Sequence, residues 1–314
     1  MATYVNPVYG EYFADPFVLK HGGRYFAYGS APLAGGTVPA LESDDLVDWR
    51  ALGHVLEPLP GEEPLSYWAP EVAFADGLLH MFYSAGGAEG EGHRLRVATA
   101  EDPRGPFRDR GLVAGAVDGF AIDAHPFRDD DGEWYLFHCR DFLDGNRPGT
   151  GVVVDRLVEM RALAGDRRTV VRPFADWNLF QRNRRWYDRD WEAWYTVEGP
   201  FVRKQGPHYY CFFSGGAWRE PSYGVSYAVA PHPLGPWEVA QGDGPLILAT
   251  APGEVLGPGH ASVVSGPDGE TDWLVYHGWD PGGKMRLMRI DELRWTPDGP
   301  RCDGPSTQPR PAPR

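Results

Sequence analysis

The stretch Asp123-Ala-His-Pro-Phe127, followed by a turn at Asp130-Asp-Gly132 and by Trp134-Tyr-Leu-Phe-His138, reads as a β-hairpin. A polar residue opens a short apolar strand, an Asp-Gly pair suits the tight turn, and an aromatic strand returns. The same plan recurs four more times. Asp15-Pro-Phe-Val-Leu19 leads through His21-Gly-Gly23 to Arg24-Tyr-Phe-Ala-Tyr28, and Pro70-Glu-Val-Ala-Phe74 leads through Ala75-Asp-Gly77 to Leu79-His-Met-Phe-Tyr83. Glu198-Gly-Pro-Phe-Val202 and His260-Ala-Ser-Val-Val264 open the last two copies, which return at Tyr209-Tyr-Cys-Phe-Phe213 and Trp273-Leu-Val-Tyr-His277. The polar openers fall at 15, 71, 123, 198 and 260, spaced by 56, 52, 75 and 62 residues.

A second repeat supports the first. Ala98-Thr-Ala-Glu-Asp-Pro-Arg-Gly-Pro-Phe107 and Ala228-Val-Ala-Pro-His-Pro-Leu-Gly-Pro-Trp237 share every fixed position of one pattern, and Ser43-Asp-Asp-Leu-Val-Asp-Trp49 occupies the corresponding place in the first unit. A period of roughly 50 to 60 residues with about four strands per unit predicts a β-propeller, whereas solenoid repeats are shorter and more uniform. Five periods predict five blades. The expected fold is therefore all-β, a five-bladed β-propeller forming a single domain over 1–301. The Pro-rich, aromatic-free segment 302–314 is expected to be a disordered tail.

Composition agrees and excludes some functions. The chain has 314 residues, and 40 Gly with 30 Pro make it rich in turns, while 12 Trp, 15 Tyr and 15 Phe supply sheet-filling rings and faces on which sugars stack. Thirty Lys and Arg against 44 Asp and Glu give a formal charge of −14, which disfavours nucleic acid and anionic membranes as partners. Cys139, Cys211 and Cys302 have no metal-type spacing and read as two small core residues and a tail thiol. No run of about eighteen apolar residues offers a membrane span, and the start lacks a signal-peptide pattern, so a cytoplasmic location is expected. The widest gap between openers contains an Arg- and Trp-rich insertion, Arg172 to Trp194, which is either a binding element or a solvated excursion.

In a propeller the first strand of each blade lines the central channel. Four of the five openers are acids: Asp15, Glu71, Asp123 and Glu198. Acids at equivalent positions around one axis converge, and gathering like charges separates their pKa values. Glycoside hydrolysis needs that separation, with one protonated acid and one ionised carboxylate. Spacing alone leaves open which carboxylate plays which part.

Ala14-Asp-Pro-Phe17, Trp68-Ala-Pro-Glu-Val72, Ile122-Asp-Ala-His-Pro-Phe127, Glu198-Gly-Pro-Phe-Val202, Gly257-Pro-Gly-His260 and Val275-Tyr-His-Gly-Trp279 resemble, in order, the signatures of glycoside hydrolase family 43. The resemblance runs from about residue 10 to 300 and implies a five-bladed, inverting enzyme acting mainly on arabinofuranosyl and xylopyranosyl linkages. It implies Asp15 as the general base, Glu198 as the general acid and Asp123 as the carboxylate that tunes Glu198. Trp68, Glu71, Trp218, His260 and Arg289 become the expected substrate contacts, with Arg289 approaching the sugar or the catalytic carboxylates. The chemistry requires no cofactor. The resemblance also suggests a hydrated ion, commonly calcium, in the channel at His260, although calcium prefers oxygen ligands.

Other readings fit less well. Retaining fructan-cleaving enzymes usually carry Asn-Asp-Pro, Arg-Asp-Pro and Glu-Cys, where this chain has Ala14-Asp15-Pro16, Ile122-Asp123-Ala124 and Glu198-Gly199. A phosphorylase needs a basic phosphate site, for which Arg182 to Arg185 is the one candidate, and a lectin-like propeller does not need three convergent acids. Family xylosidases often carry an added C-terminal β-sandwich for which this chain has no length. Together with the expected intracellular location, this favours an exo-acting α-L-arabinofuranosidase on oligosaccharides, with a β-xylosidase second.

Overall fold

The computed structural model describes residues 2–31, 35–61, 65–116 and 119–314. Its strands form five blades. Blade 1 runs Ala14–His21, Arg24–Ser30, Pro39–Ser43 and Trp49–His54, and blade 2 runs Ser66–Ala75, Leu78–Gly86, Arg94–Ala100 and Arg108–Leu112. Blade 3 comprises Ala121–Arg128, Trp134–Phe142, Gly149–Val158 and Arg168–Val171; blade 4 comprises Arg189–Gln205, His208–Gly215, Gly224–Ala230 and Glu238–Val239. Blade 5 is Leu256–Ser265, Asp272–Trp279, Arg286–Thr296 and Gly299–Cys302. The expected five-bladed, all-β propeller is observed, and the openers lie on the innermost strand of each blade. Among the described residues the only helical element is a 3₁₀ turn at Asp176–Asn178, and no helix is long and apolar enough to cross a membrane.

The hairpins form where alternation and turn chemistry coincide. In blade 1 the residues flanking Gly22-Gly23, His21 and Arg24, are paired in register, and both glycines take positive φ. Blade faces meet through apolar layers: Phe13, Val18, Val275 and Met288 fill the seam between blades 5 and 1, whereas Ile122, Phe137, Val197 and Phe213 fill that between blades 3 and 4. Blades 3 and 4 are also hydrogen-bonded into one sheet, because Gly149 and Thr150 pair in parallel with Tyr195 and Thr196. Only glycine permits that approach, since a Cβ at Gly149 would lie 1.9 Å from the Tyr195 carbonyl oxygen.

The ring is closed by the N-terminal segment. The Asn6 side chain exchanges hydrogen bonds with the backbone of Ile290, and Phe13 N donates to the Arg286 carbonyl. The tail expected to be disordered is instead part of this closure. Arg310–Pro311 pairs with Thr3–Tyr4, Ser306 is buried, and Ser306 N donates to Asp291 Oδ2 at 3.1 Å. The tail lacks aromatic side chains, but its backbone groups find fixed partners on blade 5 and on the N-terminal segment.

Every innermost strand breaks its register at the opener. The shifts lie between Ala14 and Phe17, Trp68 and Glu71, Ile122 and His125, Glu198 and Phe201, and around Gly259. Residues with positive φ occupy these bulges: Asp15 (51°), Ala69 (42°), Asp123 (56°), Gly199 (58°) and His260 (50°). Each non-glycine residue there costs about 1–2 kcal/mol of backbone strain. Bulges re-aim side chains and free backbone amides from the ladder. Here they turn the openers into the channel.

Candidate active site

Asp15 sits where blade 5 meets blade 1. Its Oδ1 accepts from Arg286 Nη1 at 2.9 Å, and its Oδ2 accepts from Ser30 Oγ at 2.5 Å. Ser30 Oγ in turn accepts the Ala69 amide at 2.8 Å, linking the carboxylate to blade 2. The amide of Asp15 donates to His277 Nδ1 at 3.1 Å, which places the neutral ring's proton on the buried Nε2. His260 Nδ1 lies 3.5 Å from Asp15 Oδ1. Burial would raise the Asp15 carboxyl, but the Arg286 guanidinium, together with His260 and His277, outweighs it and holds the group well below the usual carboxylate range.

Glu198 has the opposite character. It is half-buried at the bulge of blade 4 and accepts a 2.7 Å hydrogen bond from the Tyr223 hydroxyl. Burial pushes its carboxyl up to about 7; the nearby Asp15 charge adds to the rise, and Tyr223 and Arg286 oppose it. Asp123 Oδ2 accepts the Gly199 amide at 2.9 Å, so the carboxyl of blade 3 is anchored to the residue beside Glu198. Burial and repulsion from Glu198 raise Asp123 well above its ordinary range. Gly199 also has a packing role, since a Cβ there would stand 3.1 Å from the His260 ring.

Glu71 is held apart from this exchange. Its Oε2 accepts from His125 Nδ1 at 2.6 Å, and His125 Nε2 accepts the Val202 amide at 3.0 Å. The second bond fixes the tautomer, and His125 thereby braces blade 2 against blade 4. Trp68 is half-buried with its indole stacked 3.7 Å from the His93 ring, while Trp218 stacks on Trp279 at 5.5 Å beneath the Arg219 and Arg286 guanidinium groups.

The structure thus brings Asp15, Asp123, Glu198 and His260 to one centre, with Glu71 adjoining through His125. Arg289 departs from expectation. It is buried on the opposite face of its strand from Arg286, paired in register with Tyr276, and makes no ion pair with Asp15, Asp123 or Glu198 among the described residues. Arg286 takes the place beside the carboxylate, held also by Tyr12, whose hydroxyl accepts from Arg286 Nη2 at 2.7 Å. Ser30, Tyr223, His277 and Tyr12 also escaped the sequence reading. His277 lies within the Val275-Tyr-His-Gly-Trp279 motif, but nothing in the sequence marks Ser30 or Tyr223.

The residues around His260 do not form a calcium cage. Asp15 already engages Ser30 and Arg286, and among the described residues no group of three or more His, Cys, Asp or Glu is arranged to hold a metal ion. Calcium takes about six to eight oxygens, so a hydrated ion beside His260 would draw most of its ligands from water rather than from these side chains.

Comparison with known proteins gives a consistent answer. The sequence model of glycosyl hydrolases family 43 matches residues 4–300. A β-D-galactofuranosidase of Aspergillus niger is 31% identical over 94% of this chain and 83% of its own length. An extracellular exo-α-(1→5)-L-arabinofuranosidase of Streptomyces chartreusis is 26% identical over 88% of this chain and 82% of its own. The crystal structure of a thermostable family-43 glycoside hydrolase superposes with a TM-score of 0.83 at 33% identity, covering 99% of both chains.

Proposed function

The chain belongs to glycosyl hydrolases family 43 and is a glycoside hydrolase, and from that premise we propose that it is an inverting, exo-acting α-L-arabinofuranosidase. The observation that carries the assignment of roles is the divergence of two carboxyls in one buried site. Asp15 is held ionised by Arg286, whereas Glu198 is pushed up to about 7. An ionised carboxylate suits a base and a protonated one suits an acid.

Asp15 accepts a proton from water as the water oxygen bonds to the anomeric carbon. The glycosidic C–O bond breaks in the same step, and Glu198 delivers its proton to the departing oxygen. Asp123 is coupled to Glu198 by a repulsion that raises its own carboxyl, and it fixes the backbone beside Glu198 through Gly199. Trp68, backed by His93, offers a ring face to the sugar. The resemblance to an inverting family supports inversion.

The Aspergillus relative favours a second reading, β-D-galactofuranosidase activity. β-D-Galactofuranose has the ring size and ring configuration of α-L-arabinofuranose and adds one hydroxymethyl group, so a single site can be tuned to either. Nitrophenyl α-L-arabinofuranoside, β-D-galactofuranoside and β-D-xylopyranoside, assayed side by side, separate these readings and the β-xylosidase. The arabinofuranoside should give the highest kcat/KM, and a preference for either other sugar overturns the assignment. Proton NMR of the first-formed sugar should show an inverted anomeric centre; retention would make Asp15 a nucleophile.

A further inference from the structure

The insertion before blade 4 forms a hairpin, Leu179–Trp186 returning into Arg189–Gln205, and the returning strand carries Glu198 itself. Its tip is anchored on blade 3. Trp186 Nε1 and the Tyr187 hydroxyl donate to Asp141 Oδ2 at 3.0 and 2.9 Å, and Thr150 Oγ1 donates to Oδ1 at 2.8 Å. Beside the anchor lies a cavity of about 450 Å³ walled by Phe120, Phe142 and Tyr187, with Arg140, Asp141 and Asp144 among its polar groups. That volume falls within the range of about 300–1,000 Å³ usual for small-molecule sites.

The cavity adjoins the reaction centre. Arg140 pairs in register with Ala121, two residues before Asp123. On its other side, Phe120, Trp186 and the candidate sugar platform Trp68 converge, because a side chain at Gly90 would meet them at 3.4, 3.8 and 3.7 Å respectively. A chain leaving the site on the Glu198 side would therefore pass along Trp68 and Trp186 toward this cavity.

Its chemistry is one-sided. Both oxygens of Asp141 are taken by the three donors named, and both oxygens of Asp144 are taken by Arg172, at 2.9 and 3.3 Å. The Arg140 guanidinium spends only Nε, on the Asp141 carbonyl at 3.4 Å; it helps to lower the Asp144 carboxyl from a distance but forms no close ion pair among the described residues. Arg140 thus keeps its Nη donors unspent, while Asp141 and Asp144 are engaged by other donors, with aromatic walls around them. A carboxylate on a sugar ring satisfies both features, since guanidinium pairs carboxylate through parallel hydrogen bonds and rings stack on sugar faces.

The geometry points to a second sugar site in this cavity, one that takes a uronate residue of the leaving-group chain and uses Arg140 to select it. It rests on the proposed reading that the substrate is an arabinofuranosyl oligosaccharide. The test is a matched pair of such oligosaccharides, carrying either a uronic acid or the corresponding neutral sugar on the leaving-group side, beside nitrophenyl arabinofuranoside. The wild type should prefer the uronate substrate about tenfold in kcat/KM at low salt, and the preference should shrink as salt screens it. Arg140→Gln should abolish the preference while leaving the nitrophenyl substrate within about twofold, and Arg140→Lys, which keeps the charge, should retain part of it. Absence of preference in the wild type, or an equal loss on all three substrates in Arg140→Gln, overturns the site. Failure on every arabinofuranoside with activity on galactofuranosides would defeat the functional reading instead, and the same pair built on galactofuranose then tests the cavity.

Discussion

Asp15 Oδ1 and Arg286 Nη1 meet at 2.9 Å across the seam that closes the ring, joining the first strand of blade 1 to the third strand of blade 5. This ion pair sets the ionisation of the proposed base. Replacing the cation should therefore change the pH at which the enzyme loses activity in acid.

For Arg286→Gln, burial of Asp15 is opposed only by His260, His277 and the Ser30 hydrogen bond, and its carboxyl rises. The acidic limb of kcat/KM should move up by about one pH unit or more, with kcat near neutrality reduced at least tenfold. Arg286→Lys should keep the limb low while losing the Tyr12 contact. A pH–rate profile decides the matter, and an unmoved limb in Arg286→Gln would detach the guanidinium from the base.

The alkaline limb should belong to Glu198. With its carboxyl pushed up to about 7, activity should fall as pH rises through that value and the acid loses its proton. Asp123→Asn removes the repelling neighbour, so the limb should shift to lower pH. A limb that stays in place, or rises, would remove Asp123 from its tuning role.

The same raised carboxyl costs stability. Between its ordinary value of 4.5 and about 7 the native state holds a proton that the unfolded chain has lost, so stability declines as pH increases over that window. Glu198→Gln can still accept from Tyr223 without the charge. It should be more stable than wild type by about 1–3 kcal/mol at pH 7.5, and no more stable below pH 4.5. Thermal melts at the two pH values provide the measurement; equal gains at both would show packing rather than ionisation.

Leaving-group chemistry separates Glu198 from Glu71. A nitrophenolate departs without a proton, whereas a sugar alkoxide needs one. Glu198→Gln should lower turnover of an oligosaccharide by about 10²–10⁴-fold and that of an aryl glycoside much less. Glu71→Gln, which disturbs the His125 brace, should affect both substrates alike. The reverse pattern would move the acid to blade 2.

The repeat was legible because its parts are local: an opener, a two-residue alternation and a Gly-bearing turn all lie within a few residues of one another. Convergence of the openers followed from topology. The choice between Arg286 and Arg289 did not, since three residues along a strand reverse the face and the decision depends on pairing with Trp279 or Tyr276. Ser30 reaches Asp15 from the next strand of blade 1 and Tyr223 reaches Glu198 from just before the third strand of blade 4, and neither position belongs to the opener, turn and aromatic pattern that marks the repeat. The positive φ values of Asp15 and Asp123 were equally hidden, because neither residue type signals a bulge as glycine does. The tail was misjudged because composition counts side chains, while its order comes from backbone groups matched to Asp291 and the N-terminal strand.

The Gly149–Tyr195 seam makes the ring of blades uneven. Asp123 and Glu198 ride on one continuous sheet, whereas Asp15 stands on another, joined to blade 5 by its ion pair with Arg286 and by the backbone bond from Phe13 to Arg286. The two coupled carboxyls are therefore built into a single ladder, while the proposed base and acid face each other across a boundary between sheets.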